Sequence, residues 1–347
     1  MYFKKILLAV AIIGLIIGAF FANFVYKAMF KPNTNFNNEA AYIYISNNDN
    51  YEDVRTQLQP LLKDINAFDA LAQRKKYTTN IKAGKYAIKK GMSNNEIINS
   101  IRSSNLPIKI AFNNQESLKK LAGRLASQID ADSISLINAM SNNTFLEANS
   151  FSKKTALGMY IPNSYEFFWN TSAETFRDRM LQEYNRFWNS NRIAKANALN
   201  LSKDEVMTLA SIVQKETAKV DERPRVAGVY INRIKRGIPL QADPTVIFAI
   251  REKANDFDKI IKRVLYKDLE IDSPYNTYKY AGLPPGLISM PDISSIDAVL
   301  NYEKHDYIYF VVNVEKFGYH KFAKTLTQHN RNKQEYVRWI NKKGINR

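Results

Sequence analysis

The chain has 347 residues, 45% of them hydrophobic, 24% charged and 12% aromatic, which is the mix of a folded chain of about two domains. It has no cysteine and only three histidines, so disulfide scaffolds, zinc–thiolate sites and cysteine nucleophiles are excluded and a histidine metal site has little material. The formal net charge of +17 attracts polyanions, nucleic acid and acidic wall polymers alike, and names none of them.

In chain order, Ile6–Tyr26 runs 21 residues without a charge, enough at helical rise to span roughly 31 Å, the thickness of a hydrocarbon core. Its exit, Phe20-Phe21-Ala22-Asn23-Phe24, is too bulky for a signal cleavage site, so an uncleaved single-pass anchor is expected after a cytoplasmic stub (1–5). Lys4 and Lys5 on one side nearly balance Lys27 and Lys31 on the other, and no second run of membrane length follows. The bulk of the chain is therefore expected outside the inner (cytoplasmic) membrane, in the periplasmic space, where it meets wall polymer and not nucleic acid.

Residues 27–40, Asn-rich and carrying Pro32, read as a linker. Residues 41–113 read as a small β-α-α-β-α-β unit: strands at 42–45, 84–88 and 108–112, helices at 51–62 and 68–75, and a helix opened by a capping box at Ser93 and Glu96. From 114 to 347 the pattern is a larger α+β domain. Helices are expected at 116–129, 132–140, 173–189, 204–217 (opened by a Ser202/Glu205 capping box) and 223–236, with Gly237 in the C-terminal cap position. A Pro/Gly loop at 282–286, strands at 307–314 and 320–322 and a final helix at 327–341 complete it. From Lys321 to Arg347 eight Lys/Arg stand against Glu335 alone, and that charge run reads as a solvated helix face. The lone His320 reads as structural.

On a wheel of the 204–217 helix, Val206, Leu209, Ala210 and Val213 form the apolar stripe, Lys215 faces away and Glu216 lies beside Leu209 on the stripe's edge. Partial desolvation there favours the protonated carboxyl, the state required of a general acid at a glycosidic bond. Glycosidases normally use two carboxylates. Asp221, Glu222 and Asp243 are the nearby candidates, and none has an equivalent helical placement.

The stretches ASIVQKETAKVDERPRVAGVYINRIKRGIPLQADPT (210–245), SPYNTYKYAGLPPGLISMP (273–291) and YIYFVVNVEKFGYHKFAKTLTQHN (307–330) are similar to the signature of the endolytic murein transglycosylases, the YceG-like or MltG family. GMYIPNSYEF (158–167) is a weaker likeness, and the anchor and small mixed unit resemble the family's membrane helix and LysM-like module. The resemblance implies an α+β enzyme acting on peptidoglycan glycan strands, without metal or other cofactor, and wall synthases as partners. It implies that Glu216 protonates the oxygen between N-acetylmuramic acid and N-acetylglucosamine, then takes a proton from the muramyl C6 hydroxyl to leave a 1,6-anhydro end. Gln214 stands where many members have Glu, and an amide can only position or hydrogen-bond. Asn276, Thr277 and Tyr278 resemble the family's N-T-Y loop, and Gln241, Asp243 and Thr245 its L-Q-x-D-P-T segment; substrate contact is expected of both. Glu222 and Arg223 are expected to form an ion pair that orients the catalytic helix. Two rivals stay open: a muramidase-type hydrolase using Asp243 or Glu222 as second carboxylate, and a non-catalytic wall-binding scaffold.

Overall fold

The structure is a computed structural model that describes residues 2–343; Met1 of the expected stub and residues 344–347 of the basic tail lie outside the described residues. The elements are α1 (Tyr2–Phe30), β1 (Ala40–Ile45), α2 (Tyr51–Leu58), α3 (Ile65–Arg74), β2 (Gly84–Lys89), α4 (Asn94–Ser103), β3 (Pro107–Phe112), α5 (Leu118–Ala126), α6 (Ser133–Met140), α7 (Asn143–Ala148), β4 (Asn163–Phe168), α8 (Ala173–Phe187), α9 (Ser190–Ala198), α10 (Lys203–Glu216), α11 (Arg223–Lys235), α12 (Asp243–Ala254), α13 (Ile293–Leu300), β5 (Tyr309–Val312), β6 (His320–Ala323) and α14 (Leu326–Lys342). Among the described residues the strands pair as β1–β2, β3–β4 and β5–β6, which makes the fold mixed α+β, as expected.

The chain divides into two compact units. The first takes the described residues to Ile110 together with Gln128–Ala131 and Tyr165–Ser172; the second takes Ala111–Ser127, Asp132–Ser164 and the described chain from Ala173 on.

In the first unit, α1 is long and apolar enough to cross a membrane, and it continues past Tyr26 to Phe30 because nothing before Pro32 breaks it. Residues 31–39 form no regular element, yet they are not a free linker. Asn33 is buried, donating to Asp64 O at 2.8 Å and to Asn94 Oδ1 at 2.6 Å, and Thr34 Oγ1 accepts from Gly91 N at 2.8 Å. β1 and β2 pair antiparallel, Ile43 opposite Tyr86, and close over α2, α3 and α4 around a core that includes Ile45, Val54, Phe68, Ile88 and Ile97. α2 stops at Leu58, short of Leu62, because Pro60 cannot donate to the next turn. α4 begins where expected: Ser93 Oγ accepts from Glu96 N while Glu96 Oε2 accepts from Ser93 N at 2.8 Å.

In the second unit, α10, α11 and α13 supply the core through Val206, Leu209, Val213, Val226, Val229, Ile296 and Val299, all fully buried. α7, α9, α12, α13 and β4 were not foreseen; four of them are under ten residues and too short to show a period. Gly237 sits at φ +65° just past α11, the left-handed C-terminal cap position expected of it. In the 282–286 loop, a side chain on Gly286 would run into the backbone of Lys154, so shape requires glycine there.

Candidate active site

α10 sets the site. Glu205 Oε2 accepts from Ser202 N at 2.8 Å and Ser202 Oγ from Glu205 N at 3.2 Å, so the helix starts at one defined residue and its last turn falls at Gln214–Glu216. That turn is fastened from two sides. Lys215 pairs with Glu116 at 2.9 Å, and Glu116 also takes Arg251 of α12 at 2.9 Å. Gln214 Oε1 accepts from Asp292 N and, at 3.1 Å, from Ser295 Oγ, which ties α10 to the start of α13.

Glu216 is half-buried and opens on a cavity of about 460 Å³. Tyr230 and Arg233 of α11, Gln241, Asp243 and Tyr278 share it, with a further group from β5 and α14 comprising Tyr309, Phe310, Leu326, His329, Asn330 and Lys333. Tyr230 Oη donates to Glu216 Oε1 at 2.7 Å. Burial pushes the Glu216 carboxyl from its ordinary 4.5 up to about 7; the Tyr230 hydrogen bond and the charges of His320 and Arg233 act against it, and Asp243 adds to it. Burial holds the Tyr230 phenol well above its ordinary value, so it stays a donor. Its ring packs edge-on against Phe310, centroids 5.9 Å apart.

Arg233, three residues on from Tyr230, is 7% exposed. Its guanidinium donates to the carbonyls of Ile308 (2.7 Å), Pro239 (3.0 Å) and Leu240 (2.8 Å) and to Gln241 Oε1 (3.1 Å). It thereby joins α11 to β5 and to the segment leading into α12. Asp243 opens α12 with Pro244 behind it, so it does have a helical placement. Tyr278 Oη donates to Asp243 Oδ1 at 2.6 Å.

Of the residues singled out in the sequence, Glu216, Gln241, Asp243 and Tyr278 are brought to one cavity. Asn276, Thr277 and Thr245 are not: each is at most 1% exposed. Asn276 Nδ2 donates to the carbonyls of Leu269 and Ile271, both at 2.8 Å. Thr277 Oγ1 accepts from Ala242 N at 3.0 Å and lies 2.8 Å from Thr245 Oγ1. Their polar groups hold the loop and the α12 start together, which positions Asp243 and Tyr278.

The expected Glu222–Arg223 ion pair is absent. Glu222 Oε1 accepts from His320 N at 2.7 Å, and Oε2 lies 2.9 Å from His320 Nδ1. The Arg223 guanidinium instead bonds Ser294 Oγ at 2.6 Å and Asp292 at 3.5 Å. Adjacent residues at a helix start point apart, and each found a partner on another element. With Asp221 accepting from Tyr319 Oη at 2.9 Å, Glu222 clamps the α10–α11 turn to the β5–β6 hairpin.

Tyr230, Arg233 and the α14 residues were missed. For the first two a signal existed: a Tyr and an Arg three apart among Val226, Ala227, Val229 and Ile231 are polar groups set into a core helix. Among the described residues, no group of three or more His, Asp or Glu could hold a metal ion.

The family model of the YceG-like family matches residues 43–335. The endolytic murein transglycosylase of Bacillus subtilis (strain 168) is 32% identical over 286 residues, 77% of this chain and 76% of that protein. That of Streptococcus pneumoniae serotype 2 (strain D39) is 27% identical over 83% of this chain, which spans only 57% of that relative. A crystal structure of a yceG-like protein from Listeria monocytogenes aligns with a TM-score of 0.57 at 28% identity, over 84% of this chain and 98% of the other.

Proposed function

We propose that this chain, which belongs to the YceG-like family, is a membrane-anchored lytic transglycosylase that cuts within peptidoglycan glycan strands. The observation that carries this is Glu216, a carboxyl pushed up to about 7 at a cavity, held by one hydrogen bond from Tyr230. Near neutral pH such a group is shared between its acid and base forms, which one residue needs in order to do both halves of the reaction.

Because Tyr230 donates to Oε1, Oε2 is the oxygen left to carry the proton. That proton goes to the glycosidic oxygen as the muramyl C1–O bond breaks and the glucosamine leaves as the alcohol. Positive charge develops at C1, and the Glu216 carboxylate is now stabilised by the Tyr230 hydrogen bond and by the buried charge of Arg233. The muramyl C6 hydroxyl closes on C1 and gives its proton to the carboxylate. The product carries a 1,6-anhydro ring, Glu216 is protonated again and no water is consumed. Tyr278, Gln241 and Asp243 offer hydroxyl, amide and carboxylate groups to sugar hydroxyls along the same cavity.

The β1-α2-α3-β2 order with antiparallel β1 and β2 supports a LysM-like wall-binding module within residues 41–113. α1, long and apolar enough to span a membrane, supports an anchor; residues 114–347 are then the catalytic part outside the cytoplasmic membrane, with wall synthases as the partners the family resemblance implies. One observation favours hydrolysis as a second reading: Asp243 lines the Glu216 cavity and could direct a water.

Mass spectrometry of fragments released from purified peptidoglycan by the full chain in detergent tests both, with Glu216→Gln and Asp243→Asn alongside. Anhydro ends from the wild type and Asp243→Asn, and none from Glu216→Gln, are expected. Reducing muramyl ends that vanish with Asp243→Asn would establish the hydrolase, and a Glu216→Gln chain fully functional in cells would establish the scaffold.

A further inference from the structure

The cavity has a second wall that the proton chemistry does not use. α14 places Leu326, His329, Asn330 and Lys333 along it, at the three-, four- and seven-residue spacing of one helical face. The His329 ring stacks on Tyr309 with centroids 5.0 Å apart, and the Arg233 guanidinium lies 5.3 Å from the same Tyr309 ring. Arg233 is bonded to carbonyls and an amide, and Lys333 has no side-chain partner, so among the described residues neither has a carboxylate at salt-bridge distance. His329 Nδ1 is buried without a hydrogen-bond partner. The cavity's own carboxylates are bonded by its tyrosines, Glu216 by Tyr230 and Asp243 by Tyr278, and not by α14. The α14 wall is therefore cationic with its hydrogen-bonding capacity unspent.

Amino-sugar rings give such a wall nothing to pair with, because N-acetylated sugars are neutral. The anions of a glycan strand hang from the lactyl ether of each muramyl residue: the carboxylates of the stem peptide or, where the peptide has been removed, the lactyl carboxylate itself. We infer that the α14 wall, with Lys333 as its charge, is a subsite for a carboxylate borne on the lactyl side of the muramyl residue being cut. The inference rests on glycan being the substrate. It makes Lys333 a specificity-determining residue that distinguishes strands by what they carry and not by their sugars.

The test compares cleavage by the full chain in detergent on three preparations of uncrosslinked strands: native, native with the peptide carboxylates converted to primary amides, and stripped of peptide by an amidase. Amidation is expected to raise the wild-type KM about two- to five-fold, the range of a partly exposed ion pair, and the difference should shrink as salt is raised. Lys333→Ala should show the same KM on native and amidated strands, and Lys333→Arg should retain the wild-type ratio. If amidation has no effect but stripped strands are bound more tightly in a Lys333-dependent way, the carboxylate recognised is the lactyl one. Equal wild-type KM values on all three, or a ratio that survives Lys333→Ala, would overturn the subsite. Failure of the wild type to cut any strand would instead overturn glycan as the substrate.

Discussion

Replacing Glu216 by Gln should abolish cleavage and, at alkaline pH, make the protein more stable. In an unfolded chain this carboxyl titrates near 4.5, and in the folded chain burial moves it up to about 7. Below the lower value both states hold the proton and the group costs nothing. As pH rises from there to about 7 the unfolded chain releases its proton while the folded chain keeps it, so unfolding becomes easier. Above 7 both states are ionised and the penalty is complete. At about 1.4 kcal/mol per pH unit across that gap, the upper bound is roughly 3 kcal/mol. Gln removes the ionisable group and keeps an Oε1 that can accept the Tyr230 hydroxyl, now at 2.7 Å from the carboxylate. For a cooperative unit of this size each kcal/mol moves the melting temperature by about 2–4 °C, so a gain of several degrees is expected near pH 8.5 and none near pH 4.5. Thermal unfolding followed by circular dichroism or calorimetry across that range measures it, with glycan cleavage assayed on the same samples. A difference that does not depend on pH, or a wild type more stable than the variant at pH 8.5, would refute burial as the cause of the raised carboxyl.

Two further outcomes follow from the same contacts. Tyr230→Phe removes the one hydrogen bond that favours the ionised form of Glu216. At about 1.5 kcal/mol for a bond to a charged group the alkaline limb of the pH–rate profile should move up by about one unit, and a limb that stays in place would show that Glu216 does not set it. For Glu222, burial acts to raise the carboxyl, but hydrogen bonds from His320 and Thr217 and the charge of the ring outweigh it and hold the group below its ordinary value. Its contribution is present above the ordinary carboxylate range and is lost as pH falls through the depressed folded value. Glu222→Gln should therefore cost about 1–3 kcal/mol at neutral pH and flatten the acid-side fall in the urea midpoint; a variant whose midpoint falls as steeply as the wild type's would contradict that assignment.

How much of this could be read from the chain alone depends on how far each signal reaches. Local signals carried well. The Ser93–Glu96 and Ser202–Glu205 boxes name two N-cap residues correctly, the second helix starting one residue earlier than expected, and that second box sets the phase that brings Glu216 to the edge of an apolar stripe. Position on a wheel says which side of a helix a carboxyl leaves from, but not what waits there, so Tyr230, 14 residues on, was invisible as its partner. Polar loop residues misled for the same reason. Asn and Thr suit sugar hydroxyls and buried turns equally well. Only the pairing of Thr277 with Ala242 and Thr245, more than 30 residues earlier, shows that this loop satisfies itself. The α14 charge run is the sharpest case. Counted along the chain its lysines and arginines describe a solvated face, and Lys333 is indeed exposed. Yet the β5–β6 hairpin just before it, clamped to the α10–α11 turn by Glu222 and Asp221, swings the helix so that Leu326, His329 and Lys333 border the Glu216 cavity. A buried carboxylate 98 residues before the hairpin's His320 thus helps set whether a basic helix faces water alone or the place where a strand would be cut.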